Sequence, residues 1–115
     1  MIFNYNKIKK NKTSYIIAEI GVNHDCSFKK AKKLILLAKK GGAHAAKFQS
    51  YKAEKIVKKN SKAYWDLKKE KIKSQYELFS KLDKFEPIDY KKLSLFCKKK
   101  KIDFLSTPFD LDSVK

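Results

Sequence analysis

The apolar positions of this chain fall into short blocks of two different periods. Tyr15, Ile16, Ile17 and Ala18 form an unbroken run, the pattern of a strand buried on both faces of a parallel sheet. The run stops at Glu19 and gives way to a polar turn, Gly21-Val22-Asn23-His24-Asp25. From Phe28 the period changes. Phe28, Ala31, Leu34, Ile35 and Ala38 recur at helical spacing behind Ser27, a good N-cap. Gly41 and Gly42 supply the left-handed stop for such a helix. Ala43 to Phe48 reads as a second strand, interrupted by Lys47 and followed by Gln49. A charge inside an apolar strand is costly unless something pairs with it, so Lys47 marks a candidate site.

The stretch from Ser50 to Lys73 exceeds the ~2–6 residues of an ordinary connection. It holds the cluster Lys58-Lys59-Asn60-Ser61 and the pair Tyr64-Trp65. It is either an irregular, partly helical loop whose aromatics dock on the core or a loop that covers a substrate. Ser74-Gln75-Tyr76-Glu77 has the form of a capping box, with Leu78, Phe79 and Leu82 making a short amphipathic helix behind it. Pro87 to Asp89 opens another helix, with Tyr90, Leu93, Phe96 and Cys97 on one stripe. Ile102, Phe104 and Leu105 form a third strand, ending at Ser106-Thr107-Pro108-Phe109-Asp110.

Strands and helices thus alternate without hairpin signals, which is the pattern of a parallel α/β protein. Residues 1–13, with Ile2, Phe3, Tyr5 and Ile8 among Asn and Lys, read as an N-terminal arm or hairpin; residues 14–115 form the α/β unit. Three strand ends carry polar groups: Glu19, then Lys47 with Gln49, then Ser106 with Thr107. A parallel sheet or barrel brings such ends to one face, where these folds keep their active sites.

Charge adds a second question. The 115 residues carry 29 basic side chains, all lysine, against 12 acidic ones, a formal net charge of +17. The lysines are either a solvated surface reflecting a biased genome or a polyanion-binding surface. Their spread over three helical segments and the lack of arginine disfavour a sequence-reading nucleic-acid partner. An anionic small molecule would still benefit from the field. Cys26 and Cys97 lie far apart, with no CxxC pair and no histidine at metal spacing, so free thiols in a reducing compartment are expected. The N-terminus lacks the apolar core of a signal peptide, and no apolar run approaches the ~20 residues of a membrane span. The expected location is the cytoplasm, without a membrane partner.

Three motifs, IAEIGVNHD, GGAxAAKFQSYKAE and FLSTPFD, resemble the N-terminal part of the sialic acid (N-acetylneuraminate) synthase family. The likeness runs from about Tyr15 to Val114. It implies a C–C bond-forming transferase that condenses phosphoenolpyruvate with an N-acetylated amino sugar, such as N-acetylmannosamine, to a nonulosonic acid. The products of such enzymes serve cell-surface polysaccharides. The implied fold is a (β/α)₈ TIM barrel followed by a small antifreeze-like domain. A barrel takes ~250 residues, so three strands of eight are expected here. The resemblance also implies a homodimer at full length and a divalent metal, Mn²⁺ or Mg²⁺, held by histidines of later strands and by no residue of this chain.

Position by position, the resemblance makes Glu19 the acidic residue facing the reacting centre. Lys47 becomes the phosphoenolpyruvate contact, with a catalytic part beside Glu19, and Gln49 a polar contact to the sugar. Thr107, with Ser106 beside it, falls on the phosphoenolpyruvate side. In the implied reaction C3 of phosphoenolpyruvate attacks the sugar aldehyde, and water adds at C2 of the resulting cation. A carboxylate such as Glu19 could orient that water or stabilise the charge.

Plainer readings stand beside these. Glu19 and Lys47 could simply pair across neighbouring strands. His24 could be a turn residue bonded to local backbone, and Ser106-Thr107-Pro108 a strand-ending turn. Three positions depart from the family pattern: Cys26 and Lys101 stand where glycine is usual, and His44 where an acidic residue is common. A positive φ at Cys26 would add roughly 1–2 kcal/mol of strain. Three barrel strands also leave an unpaired edge and an uncovered inner face. The chain by itself is therefore expected to be marginally folded and inactive, with a basic module for nucleic acid or acidic glycans as the rival reading.

Overall fold

The computed structural model describes residues 14–114; the N-terminal arm or hairpin expected over 1–13 lies outside them. Three parallel strands, β1 (Ile17–Gly21), β2 (Ala45–Ser50) and β3 (Asp103–Pro108), lie side by side in that order. Helix α1 (Phe28–Lys40) connects the first pair. Three helices separate the second: α2 (Ala53–Ile56), α3 (Gln75–Leu82) and α4 (Pro87–Lys99). A 3₁₀ turn, Asp112–Val114, follows β3.

The helix starts follow the local chemistry. Ser27 accepts the Lys30 amide at 3.2 Å, and Ser74 accepts that of Glu77 at 3.4 Å. Pro87 occupies the first turn of α4, while the Asp89 carboxylate accepts the Glu86 amide at 3.1 Å. Helices α1 and α4 also end alike. Gly42 N–H donates to Lys39 and Ala43 N–H to Ala38; Lys101 N–H donates to Lys98 and Ile102 N–H to Cys97. Each is a Schellman closure with its pivot in the left-handed region, Gly42 at φ +84° and Lys101 at +56°. Gly41 stays at φ −74°, so Gly42 alone supplies the left-handed stop of α1.

All three strands begin later than their apolar runs. Tyr15 and Ile16 precede β1, and the Ile16 carbonyl accepts the amides of both His44 and Ala45. Ala43 closes α1 rather than opening β2. The expected burial of the first run on both faces does not hold: Ile16 and Ile17 are 52% and 44% exposed. The helices cover one face of the sheet only, burying Ile20, Ala46, Phe48 and Ile102 against Ala31, Ile35, Leu93 and Cys97.

The long connection is tied to itself. Ala63 N–H reaches the Lys73 carbonyl at 2.8 Å, Lys62 bridges Ser74, and the Trp65 indole donates to Ile72 at 3.0 Å. Tyr64 meets Trp65 edge-on and is 76% exposed, so this pair packs within the loop rather than on the core. No helix among the described residues is long and apolar enough to cross a membrane.

Candidate functional site

Strand alternation sends Phe48 into the core and its neighbours Lys47 and Gln49 to the opposite, uncovered face. Register then selects their companions. Glu19 of β1 is level with Lys47, and Gln49 is level with Thr107 of β3. The Lys47 ammonium lies 2.5 Å from Glu19 Oε2 and donates to Thr107 Oγ1 at 3.1 Å. One cation in the middle strand thus joins a carboxylate and a hydroxyl from the strands on either side. The cost of a lysine in an apolar strand is offset by both partners.

The other oxygen of Glu19 is also engaged. The ladder shifts register between Glu19 and Gly21, and Gly21 adopts φ +55°. This turns the Gly21 amide onto Glu19 Oε1 at 3.0 Å. A Cβ at Gly21 would lie 3.7 Å from that oxygen and 3.8 Å from the Gln49 side chain, which places the Gln49 amide beside Glu19. Glycine is needed here for its φ, not for space. Its backbone amide is a contributor that side-chain patterns do not reveal.

Glu19, Lys47, Gln49 and Thr107 therefore share one face at the C-terminal ends of adjacent strands. Ser106 does not. It pairs in register with Phe48, on the helix-covered side, and its hydroxyl is hydrogen-bonded to that of Ser50. Beneath the site, the Tyr90 hydroxyl donates to the Gln49 carbonyl at 2.9 Å. Tyr90 shows in sequence only as one member of an apolar stripe.

The two histidines are built into the frame. His24 is buried, stacks on Phe85 at 4.4 Å between centroids, and through Nδ1 accepts the Cys26 amide at 3.1 Å. Its role as a turn residue bonded to local backbone is thus realised. Burial holds the imidazole below its ordinary pKa; Asp25 pulls it up and Lys30 pushes it further down. His44 accepts the Ile16 amide through Nδ1 at 3.0 Å and stacks on Tyr15. Among the described residues no group of three or more His, Cys, Asp or Glu is placed to hold a metal ion.

Cys26 and Lys101, where the resemblance led to an expectation of glycine, both fall in the left-handed region. Cys26 sits at φ +55°. Its sulfur accepts the Lys84 amide at 3.4 Å and lies 3.8 Å from the Lys81 carbonyl. These contacts tie the turn after β1 to the end of α3.

Comparison with known proteins points to one family. The model of the NeuB family matches residues 34–115. The N,N'-diacetyllegionaminic acid synthase of Campylobacter jejuni is 46% identical over 105 residues, 90% of this chain and 31% of that protein. The pseudaminic acid synthase of C. jejuni is 36% identical over 93 residues, covering 70% of this chain and 26% of the relative. The crystal structure of the N-acetylneuraminic acid (sialic acid) synthetase of Leptospira borgpetersenii, in complex with citrate, aligns with a TM-score of 0.71 at 30% identity. That alignment covers 87% of this chain and 30% of the synthetase. The chain thus spans between 26% and 31% of the length of these relatives. With its fold aligned over 87% of its length to a solved synthetase and residues 34–115 matched by one family, this chain belongs to the NeuB family.

Proposed function

We propose that the chain forms the phosphoenolpyruvate-binding part of a nonulosonic acid synthase, a transferase joining phosphoenolpyruvate to an N-acetylated amino sugar. The reading rests above all on the Lys47 ammonium held between Glu19 and Thr107 at the ends of adjacent parallel strands. Phosphoenolpyruvate is compact and densely anionic, so a fixed cation next to a hydroxyl donor suits it. Lys47 would bind its phosphate or carboxylate, and Thr107 would donate to the same group. Glu19, its carboxylate oriented by the Gly21 amide, would direct water or stabilise positive charge in the reaction. Gln49 is left for the sugar.

In this reading the three strands are the first of a (β/α)₈ barrel, with the site at its C-terminal rim. The family likeness implies a divalent metal. The described residues do not fit one: His24 is enclosed by Phe48 and Phe85, and His44 spends Nδ1 on the Ile16 amide. No step is therefore assigned to a metal here, and binding without turnover is the activity proposed for these 115 residues alone. Working in the cytoplasm agrees with two free thiols, and a homodimer is proposed as the assembly of the synthase.

Titration calorimetry with phosphoenolpyruvate tests the reading. Binding should weaken by about 10–100-fold in Lys47→Ala, the loss of one hydrogen bond to a charged group. Equal affinity in the variant, or no binding by the unaltered chain, would overturn it.

A further inference from the structure

The β2–β3 ladder reaches Ser50 opposite Pro108, yet the two chains stay joined beyond it. Phe109 N–H donates to the Ser50 carbonyl at 3.0 Å. In a parallel ladder the next bond would run from the Lys52 amide to the Phe109 carbonyl. Here the Asp110 side chain accepts it instead, Oδ2 lying 3.0 Å from Lys52 N. The same carboxylate accepts the Ser113 amide at 3.0 Å and the Ser113 hydroxyl at 2.9 Å. Asp110 thus starts the 3₁₀ turn that leads the chain away while extending the ladder by one rung.

This rung lies just beyond the site. Lys52 follows Lys47 and Gln49 on one strand exit, and Asp110 follows Thr107 on the other. The exit of β2 is held on its other side as well: Tyr90 donates to the Gln49 carbonyl at 2.9 Å, and Asp83 accepts the Ala53 amide at 2.8 Å. The 3.1 Å contact from Lys47 to Thr107 spans the gap between these strand ends on the uncovered face. Its length depends on how closely the two exits run.

We infer that Asp110 is a positioning residue: by accepting the Lys52 amide in place of a backbone carbonyl, it fixes the separation of Lys47 and Thr107 and hence the shape of the anion site. The importance of that shape rests on the reading of the site as a phosphoenolpyruvate cradle. The strap itself does not.

The test compares Asp110→Ala with Ser113→Ala in the full chain. Ser113→Ala removes one bond of the 3₁₀ turn and leaves the strap in place. Nuclear magnetic resonance of the Lys52 amide, the Thr107 methyl and the Lys47 ammonium reads the strap without ligand, and calorimetry with phosphoenolpyruvate reads its effect. In Asp110→Ala the Lys52 amide should exchange faster, the Thr107 and Lys47 signals should move, and affinity should fall about tenfold. Ser113→Ala should match the unaltered chain in all of these. Asp110→Asn keeps one oxygen for Lys52 and should hold most of the Thr107 signal in place; Asp110→Glu, which moves the carboxylate one methylene away from the Lys52 amide, replaces the alanine variant if that fails to fold. Unmoved Thr107 and Lys47 signals in Asp110→Ala, or in Asp110→Glu when it stands in, overturn the inference, as do equal changes in Ser113→Ala. If those signals respond but the unaltered chain binds no phosphoenolpyruvate, the strap stands and the proposed function falls.

Discussion

Glu19 and Lys47 are level with each other on neighbouring parallel strands, and the carboxylate has both oxygens occupied, one by the ammonium and one by the Gly21 amide. The pair is partly open to solvent, with side-chain exposures of 50% and 30% for Glu19 and Lys47. Such a pair contributes little to stability. In the proposed function its importance would lie in holding a cation for an incoming anion.

Under the proposed function, Glu19 would compete with phosphoenolpyruvate for the Lys47 ammonium. Glu19→Gln should tighten phosphoenolpyruvate binding roughly two- to fivefold and change stability by less than about 1 kcal/mol. Calorimetry and thermal unfolding measure both. Weaker binding in the variant would mean that the carboxylate assists the anion site instead of screening it.

His24 gives a pH dependence with a definite sign. Burial lowers its folded-state pKa below the ordinary 6.5, so the unfolded chain takes up the proton first. The resulting stability is present above the unfolded value and is lost as pH falls through and below it. The thermal midpoint should drop between about pH 7.5 and pH 5.5, above the range where carboxylates titrate. His24→Asn, which keeps an acceptor for the Cys26 amide, should flatten that drop. Parallel curves for the two proteins would rule out His24 as its source.

Lys101 offers a stabilising substitution. It holds φ +56° in the same closure that Gly42 makes at the end of α1, and its side chain is exposed. Lys101→Gly should stabilise by about 0.5–1 kcal/mol, the left-handed strain removed less the added freedom of the unfolded chain. On a domain of this size that is a rise of roughly 2–8 °C in midpoint. Cys26→Gly should gain less, because the sulfur contacts to Lys84 and Lys81 go with it. A larger gain at Cys26 would show those contacts to be idle.

The two thiols should separate cleanly. Cys97 is fully buried, and desolvation, with the Asp103 charge adding to it, pushes its thiol up to about 12. Cys26 is only partly buried. At about pH 8 a disulfide reagent should modify Cys26 in the folded protein and reach Cys97 only on unfolding. Cys26→Ser should abolish the fast reaction. Two equally fast thiols would show that the core opens readily.

Much of this was legible in residue types and spacing. The order of strands and helices follows from the change of hydrophobic period, and the lone charge of Lys47 in an apolar strand points to the site. The left-handed conformations of Cys26 and Lys101 agree with the expectation, from the resemblance, of glycine at both positions. What stayed hidden depends on pairing. Ser106 and Thr107 are neighbours of similar chemistry, and only register and alternation turn one to the core and the other to Lys47. The Gly21 amide and the Asp110 strap involve backbone groups, which leave no imprint on a pattern of side chains. Tyr15 looks like strand interior, yet it precedes β1 and directs its hydroxyl to Asp103.

The strand order β1-β2-β3 also has a temporal side, because neighbours in space are neighbours along the chain. During synthesis Glu19 and Lys47 become available to each other as soon as the first strand–helix–strand unit has emerged. Thr107 lies 60 residues beyond Lys47, an interval of several seconds at roughly 5–20 residues per second. Throughout that wait Glu19 is the counter-ion that lets an apolar strand carry a lysine. The ion pair is thus the earlier contact of Lys47, and the Thr107 hydroxyl joins it only when the third strand arrives.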